Sequence, residues 1–245
     1  MRIAVAGGTG VVGRLVVEEA EEAGHEAVVI SRSRGVDLVS GEGLAGALAG
    51  AEAIIDASSV RTFDPDESVA FFDAATGNLE RHGEQAGVRH LVVLSIVGCD
   101  RVDTGYYMGK RRQEELALAG PLPVSILRAT QFHEFAAQMV ARAEDEAVVA
   151  VPAMHSQPIA AREVAAALVG LAVGEPVGRA EDLAGPEELD MVDMVRRLLE
   201  HRGLRREVVA RSAPAELAAQ MKTGLIPDGP GPRGAQTFAE WLLEQ

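Results

Sequence analysis

The sequence predicts a doubly wound parallel α/β fold with a small, mostly helical lobe at its C-terminal end. Three observations carry this: short β-branched runs alternate with helical periodicity as far as Val151, a glycine-rich turn follows the first run, and prolines become frequent from Pro152 onward. The apolar runs lie at 3–6, 27–30, 53–56, 90–94, 124–127 and 147–151, each of strand length. Helical periodicity fills the intervals at 11–23, 43–48, 66–86, 106–119 and 132–143. Repeated strand, helix and strand units close by right-handed crossovers, which gives a parallel sheet covered on both faces. Eight of the 11 prolines stand at or beyond Pro152, among helical segments at 161–172, 189–201 and 213–221 and a charge-mixed end at 233–245 with Trp241. The division expected is 1–151 for the sheet domain and 152–245 for a lobe packed over the carboxyl ends of the strands, where ligands of such sheets bind.

Composition narrows the function. The 245 residues carry a net charge of −14 and are 47% apolar, a globular composition whose field repels phosphate backbones and anionic lipid. Nucleic acid is therefore not an expected partner. Cys99 is the only cysteine, so neither an internal disulfide nor a cysteine-cluster metal site can form, and a reducing cytoplasm fits. The longest apolar stretch, 164–173, falls short of the roughly 18 residues that span a bilayer, so no membrane is expected. The six histidines show no metal-ligand spacing, and no metal is expected.

The first run ends in Gly7-Gly8-Thr9-Gly10-Val11-Val12-Gly13, which satisfies Gly-x-Gly-x-x-Gly and opens the first helix. Such a turn lets the backbone touch a diphosphate while helix amides and the helix dipole hold the charge. That strand, turn and helix context makes 1–151 a dinucleotide-binding, Rossmann-type domain. Where a carboxylate would face an adenosine 2′-hydroxyl, the chain offers Ser31-Arg32-Ser33-Arg34. Guanidinium groups there suit a 2′-phosphate, so the expected cofactor is NADP(H).

Tyr106 and Lys110 stand four apart on one helix face. A phenol is a poor acid at neutral pH, and a neighbouring ammonium favours its phenolate. Tyr106 is thus the candidate proton donor and Lys110 the group that lowers its pKa and reaches the cofactor ribose. The adjacent Tyr107 leaves the identity of the reacting phenol open. Ser95, at the end of the fourth run, is a candidate donor to a substrate carbonyl.

These residues, with Gly35-Val36-Asp37-Leu38, Leu94-Ser95-Ile96-Val97-Gly98, Arg128-Ala129-Thr130-Gln131-Phe132, Gln157-Pro158-Ile159 and the 234–242 segment, resemble the atypical short-chain dehydrogenases/reductases, in particular their NmrA-like, NAD(P)H-binding branch. The resemblance implies Asp37 and Leu38 near adenine, Ser58 near ribose, and the turn from Arg128 to Phe132 beside nicotinamide and substrate. It also implies that Ser95, Tyr106 and Lys110 carry the chemistry. Tyr107, Thr130, Gln131, Phe132, His133 and Gln157 fall on the substrate side by the same reasoning, with His155 close by. Gly109, inside the turn from Tyr106 to Lys110, departs from the pattern and weakens a helix by up to about 1 kcal/mol relative to Ala. The reading that follows is an NADPH-dependent oxidoreductase passing hydride to a small carbonyl, quinone or similar acceptor. A non-catalytic NADP(H)-sensing regulator and a sugar-nucleotide epimerase or dehydratase are its rivals. No motif fixes an oligomeric state, and a homodimer is left open.

Overall fold

The structure is a computed structural model that describes residues 1–245 except Phe63, residues 144–146 and the side chain of Thr223. Strand β1 (Arg2–Ala6) leads through the glycine turn into helix α1 (Val11–Glu22), then β2 (Glu26–Ile30) and a 3-10 turn over Arg32–Arg34. The short α2 (Leu44–Ala47) precedes β3 (Ala53–Asp56), α3 (Pro65–Ala86), β4 (His90–Ile96), α4 (Gly105–Ala119), β5 (Val124–Ala129) and α5 (Glu134–Arg142). Beyond these come β6 (Val148–Pro152), β7 (His155–Ser156), α6 (Ala161–Val173), β8 (Gly178–Arg179), β9 (Leu189–Asp190), α7 (Met191–His201), β10 (Glu207–Arg211), α8 (Ala215–Gly224) and α9 (Phe238–Leu242).

Six strands form one parallel sheet in the order β2-β1-β3-β4-β5-β8. Strand alternation sends Ile3, Val5, Ile55, Val92 and Leu94 into a core under α1 and α6, and Ala4, Ala6, Ile54, Leu91 and Val93 into a second core under α3 and α4. Both faces are therefore dry, which is why these runs read as continuously apolar. The chain leaves edge strand β2 and returns on the far side of β1, so the carboxyl ends of β1 and β3 diverge into a crevice. Asp64 starts α3 by accepting the Asp66 and Glu67 amides at 2.8 and 3.1 Å, with Pro65 at the first helical position.

The last third of the chain differs from expectation in its pairing. The run at 147–151 does form a strand, but β6 pairs in parallel with β10 in a separate two-stranded sheet. The sixth main strand is instead β8, whose two residues lie beside Ser125 and Ile126 of β5. Helix α6 is apolar along most of its length and buries Val164, Ala165, Leu168 and Val169 in the first sheet core. Conversely Val102, Tyr107, Ala136 and Met139 join Met194, Leu198, Phe238 and Trp241 in a third core under the lobe. The chain crosses between the two cores more than once, so they do not part at residue 151. Leu189 and Asp190, expected at the start of a helix, pair with β7, and α7 begins at Met191. Among the described residues no helix is long and apolar enough to cross a membrane.

Gly109 has a packing reason. A Cβ there would lie 2.7 Å from Phe72 Cδ2 and 2.9 Å from the Ser68 carbonyl oxygen, so its absence lets α4 approach α3. Helix propensity favours Ala at this position by up to about 1 kcal/mol, but overpacking a rigid contact costs about 1–3 kcal/mol. Gly109→Ala is expected to lower stability despite its better propensity, by about 1–2 kcal/mol in urea unfolding, and a variant as stable as the parent would contradict this contact.

Candidate functional site

The crevice is floored by the glycine turn. Gly7 has a φ of 74°, and a Cβ on it would stand 2.7 Å from the Ala57 carbonyl oxygen. A Cβ on Gly13 would run into the Gly7 carbonyl, and one on Gly8 would come within 3.0 Å of the Val5 carbonyl. The turn is locked by Gly7 N–H donating to the Ile30 carbonyl (3.1 Å) and Gly10 N–H to the Gly7 carbonyl (2.8 Å). Gly10 caps α1 without any side-chain acceptor, so the amides of Val11, Val12 and Gly13 are left for a ligand, with Thr9 and Gly10 exposed at the mouth. This bare cradle fits a dinucleotide diphosphate.

Beyond β2, Arg32 and Arg34 are exposed and make no ion pair or side-chain hydrogen bond among the described residues, while the Ser31 and Ser33 hydroxyls lie 3.0 Å apart. Asp37 accepts from the Ser40 and Val39 amides at 2.9 and 2.8 Å, and these bonds, with Arg32 adding its charge, hold its carboxyl below the usual range. Asn78 of α3 clamps the carbonyls of Leu38 and Val39, both at 2.8 Å. At the end of β3, Ser58 N–H donates to Asp56 Oδ1 (2.9 Å), while the buried Ser58 Oγ has no hydrogen-bond partner among the described residues. Asp37, Leu38 and Ser58 thus sit on the two loops that flank the glycine turn.

Tyr106, in the first turn of α4, accepts a hydrogen bond from Ser59 Oγ at 3.4 Å and stands edge-on to Phe72. Burial pushes its phenol up, with the charge of Asp56 adding to the rise and the Ser59 bond opposing it. Lys110 makes its hydrogen bonds on the sheet side. It is 2% exposed, donates to the Leu94 carbonyl and to Gln113 Oε1, and lies 4.6 Å above the Phe72 ring. Burial lowers its pKa to about 8, and its ammonium is turned toward the sheet rather than the Tyr106 hydroxyl. Gln113 continues the chain by donating to Asp56 Oδ2 at 2.7 Å.

Ser95 is likewise drawn elsewhere. Its hydroxyl is 3% exposed and donates to Glu114 Oε1 at 2.5 Å. Glu114 is the hub of a buried charge cluster: Arg128 Nε and Nη2 each donate to it at 2.8 Å, Arg179 of β8 adds a third contact, and Cys99 Sγ donates at 3.2 Å. Arg128 also reaches Asp100 at 2.8 Å. Burial works against the Glu114 charge, yet Arg128, Ser95 and Arg179 hold its pKa at about 2. Burial and the neighbouring Glu114 push the Cys99 thiol up to about 12, an unreactive state.

On the substrate side Tyr107 is buried, and its hydroxyl accepts from Gln131 Nε2 at 3.0 Å. Burial pushes this phenol up as well. Thr130 donates to the Gln157 carbonyl, Gln157 to the Gly185 carbonyl (2.8 Å), and Phe132 bridges to Ile159, so these three tie the post-β5 turn to the lobe. His133 is fully buried, bonds the Gln236 carbonyl at 3.1 Å and packs on Phe238 and Trp241; it belongs to the lobe core rather than to a substrate surface. His155 sits apart, between Glu188 and Asp190 at 3.0 and 2.9 Å. Ser59, Asp56, Gln113 and Glu114 were not among the residues the sequence singled out. The one available signal was an acid closing the apolar run at 53–56.

No family model matches the chain. The photosystem II assembly factor Ycf39 of Synechocystis sp. is 34% identical over 111 residues, and the match covers 40% of this chain and 34% of that protein, about a third of its length. Among solved structures, DesIV, a dTDP-glucose 4,6-dehydratase from Streptomyces venezuelae with NAD bound, superposes with a TM-score of 0.78 at 18% identity, covering 100% of this chain and 95% of that one. The chain shares the Rossmann-type fold of this enzyme. The same fold recurs in dTDP-4-dehydrorhamnose reductase from Bacillus anthracis in complex with NADP, which gives a TM-score of 0.76 at 13% identity, covering 99% and 97%.

In this fold the Glu114 cluster joins α4, β5, β8 and the loop after β4. Removing its charge leaves Arg128 paired with Asp100 alone and Arg179 without an ion-pair partner among the described residues, so Glu114→Gln is expected to lose about 1.5–3 kcal/mol at pH 7. A carboxyl depressed from 4.5 to about 2 contributes stability above pH 4.5 that is lost as the pH falls toward 2. Urea midpoints measured across that window should fall more steeply for the parent than for Glu114→Gln; parallel curves would refute the assignment.

Proposed function

We propose that the protein is an NADPH-dependent reductase of a small carbonyl, quinone or similar acceptor, with Tyr106 as proton donor. The observation that carries this is continuity: the loop whose Ala57 and Ser58 back onto Gly7 extends one residue further to Ser59, which bonds the Tyr106 hydroxyl. The acid thus stands beside the diphosphate cradle. A bound nicotinamide dinucleotide supplies a hydride to the acceptor carbon. Tyr106 gives its hydroxyl proton to the acceptor oxygen, which balances the reduction to the alcohol, and its raised pKa keeps it protonated at neutral pH. Thr9, Gly10, Val11, Val12 and Gly13 hold the diphosphate, Asp37 and Leu38 border the adenine, and Ser58 lies by the ribose. Lys110 supports the site from behind, through Gln113 and Asp56. Gln131 and Tyr107 face one another on the acceptor side.

The preference for NADP(H) rests on Arg32 and Arg34, two exposed cations without ion-pair partners among the described residues. A small soluble acceptor, with neither nucleic acid nor membrane as partner, and a cytoplasmic setting fit the acidic surface and the single buried thiol. A second reading, sugar-nucleotide chemistry, is favoured by the breadth of the structural likeness, which extends over 95% and 97% of two proteins named for dTDP-sugar reactions.

Three outcomes test this. NADPH oxidation over a carbonyl and quinone panel, against conversion of a dTDP-hexose, separates the two readings; tight NADPH binding with neither reaction would instead support a cofactor sensor. Tyr106→Phe is expected to lower turnover about 100-fold or more with NADPH affinity unchanged, and an unaltered rate would remove Tyr106 from the chemistry. Arg32→Ala should reduce the ratio of NADPH to NADH affinity by about 10- to 100-fold, measured by calorimetry; an unchanged ratio would overturn the 2′-phosphate assignment.

A further inference from the structure

We infer that Ser59 is the second hydroxyl of the site, donating to Tyr106 in place of Ser95. The inference rests on the reductase reading and deepens it. Ser95, the hydroxyl at the end of β4, is buried and committed to Glu114, which Arg128 and Arg179 also hold. Ser59 is exposed on the crevice side, and its Oγ is a hydrogen-bond donor to the Tyr106 hydroxyl at 3.4 Å. Its position is set from below. Asp56 takes the Ser58 amide on one oxygen and the Gln113 amide on the other, and Gln113 in turn takes a hydrogen bond from Lys110. Lys110, Gln113 and Asp56 are positioning residues, which fix the backbone one residue before Ser59 against the helix that bears Tyr106.

The chemistry follows from the donor count. When Tyr106 passes its proton to the acceptor oxygen, the hydroxyl becomes a phenolate. Ser59 O–H points at that oxygen and stabilises the charge as it forms, until a solvent proton replaces the one transferred. Lys110 instead gives its hydrogen bonds to the Leu94 carbonyl and Gln113. The groups bearing charge or titrating around this phenol are Asp56 at the end of β3 and Tyr107 and Lys110 on its own helix.

The test uses the full chain with NADPH and 9,10-phenanthrenequinone as acceptor. Ser59→Ala is expected to lower kcat about 10- to 100-fold with the NADPH Kd and Tm unchanged, and Ser59→Thr, which keeps the hydroxyl, to restore most of it. A second readout does not depend on turnover. The chain has two tyrosines, so 13Cζ labelling gives two resonances, assigned with Tyr107→Phe. The Tyr106 resonance should shift in Ser59→Ala and return in Ser59→Thr. Full kcat in Ser59→Ala alongside a crippled Tyr106→Phe, or an unmoved Tyr106 resonance, overturns the role of Ser59 and leaves the reductase reading intact. A parent protein that reduces no acceptor overturns that reading and the catalytic role together, while the resonance still decides the hydrogen bond.

Discussion

The Asp56 carboxylate is the constraint from which the crevice is built. It closes β3 in the middle of the sheet and is fully buried, where an unpartnered charge would be far more costly than the strand could sustain. Its two oxygens are met by the Ser58 amide and the Gln113 side chain. One bond shapes the loop that backs onto Gly7, and the other fixes the α4 face that carries Tyr106. Gln113 can serve here because an amide has both a donor end and an acceptor end, so it accepts from the Lys110 ammonium and donates to the carboxylate. A glutamate in its place would face Asp56 with a second acceptor, and a lysine would face Lys110 with a second donor. The cation and the anion are thus linked across a neutral group, and the cation is held inside the protein.

What could be read from the sequence was what is local. The glycine turn needs no distant partner to be recognised, because Gly7 requires its positive φ and Gly13 its close approach within a few residues of each other. The central strands β1, β3 and β4 carry their burial in their own composition, since both faces of the sheet are covered there. The run at 147–151 looks the same in composition yet pairs with β10, and only the distant segment at 207–211 distinguishes the two outcomes. Strand β8 has two residues and no pattern of its own. Side-chain direction was the harder limit. Ser95 and Lys110 were found as residue types in the right places, but Glu114 draws one and Gln113 with the Leu94 carbonyl draws the other. Gly109, which looked like a flaw in the helix, is the residue that brings α4 close enough to α3 for Lys110 to lie over Phe72.

Charge is sorted by depth in the same way. The chain is strongly acidic, and the buried carboxylates Glu114 and Asp56 are each met by two or more donors. Arg128 and Arg179 are consumed by this internal neutralisation. Arg32 and Arg34 make no ion pair among the described residues, which leaves their guanidinium groups exposed at one mouth of the crevice.

The same cluster makes the protein's one thiol a built-in gauge of local opening. Cys99 lies in the third core with no exposed surface, beside Glu114, and its Sγ–H is held in a hydrogen bond. A water-soluble alkylating reagent can reach it only when the loop after β4 lifts from α4 or the chain unfolds. The rate of that modification, compared with the rate for a free thiol, therefore reads the free energy of opening at the base of the site, with no introduced label and no second cysteine to confuse it.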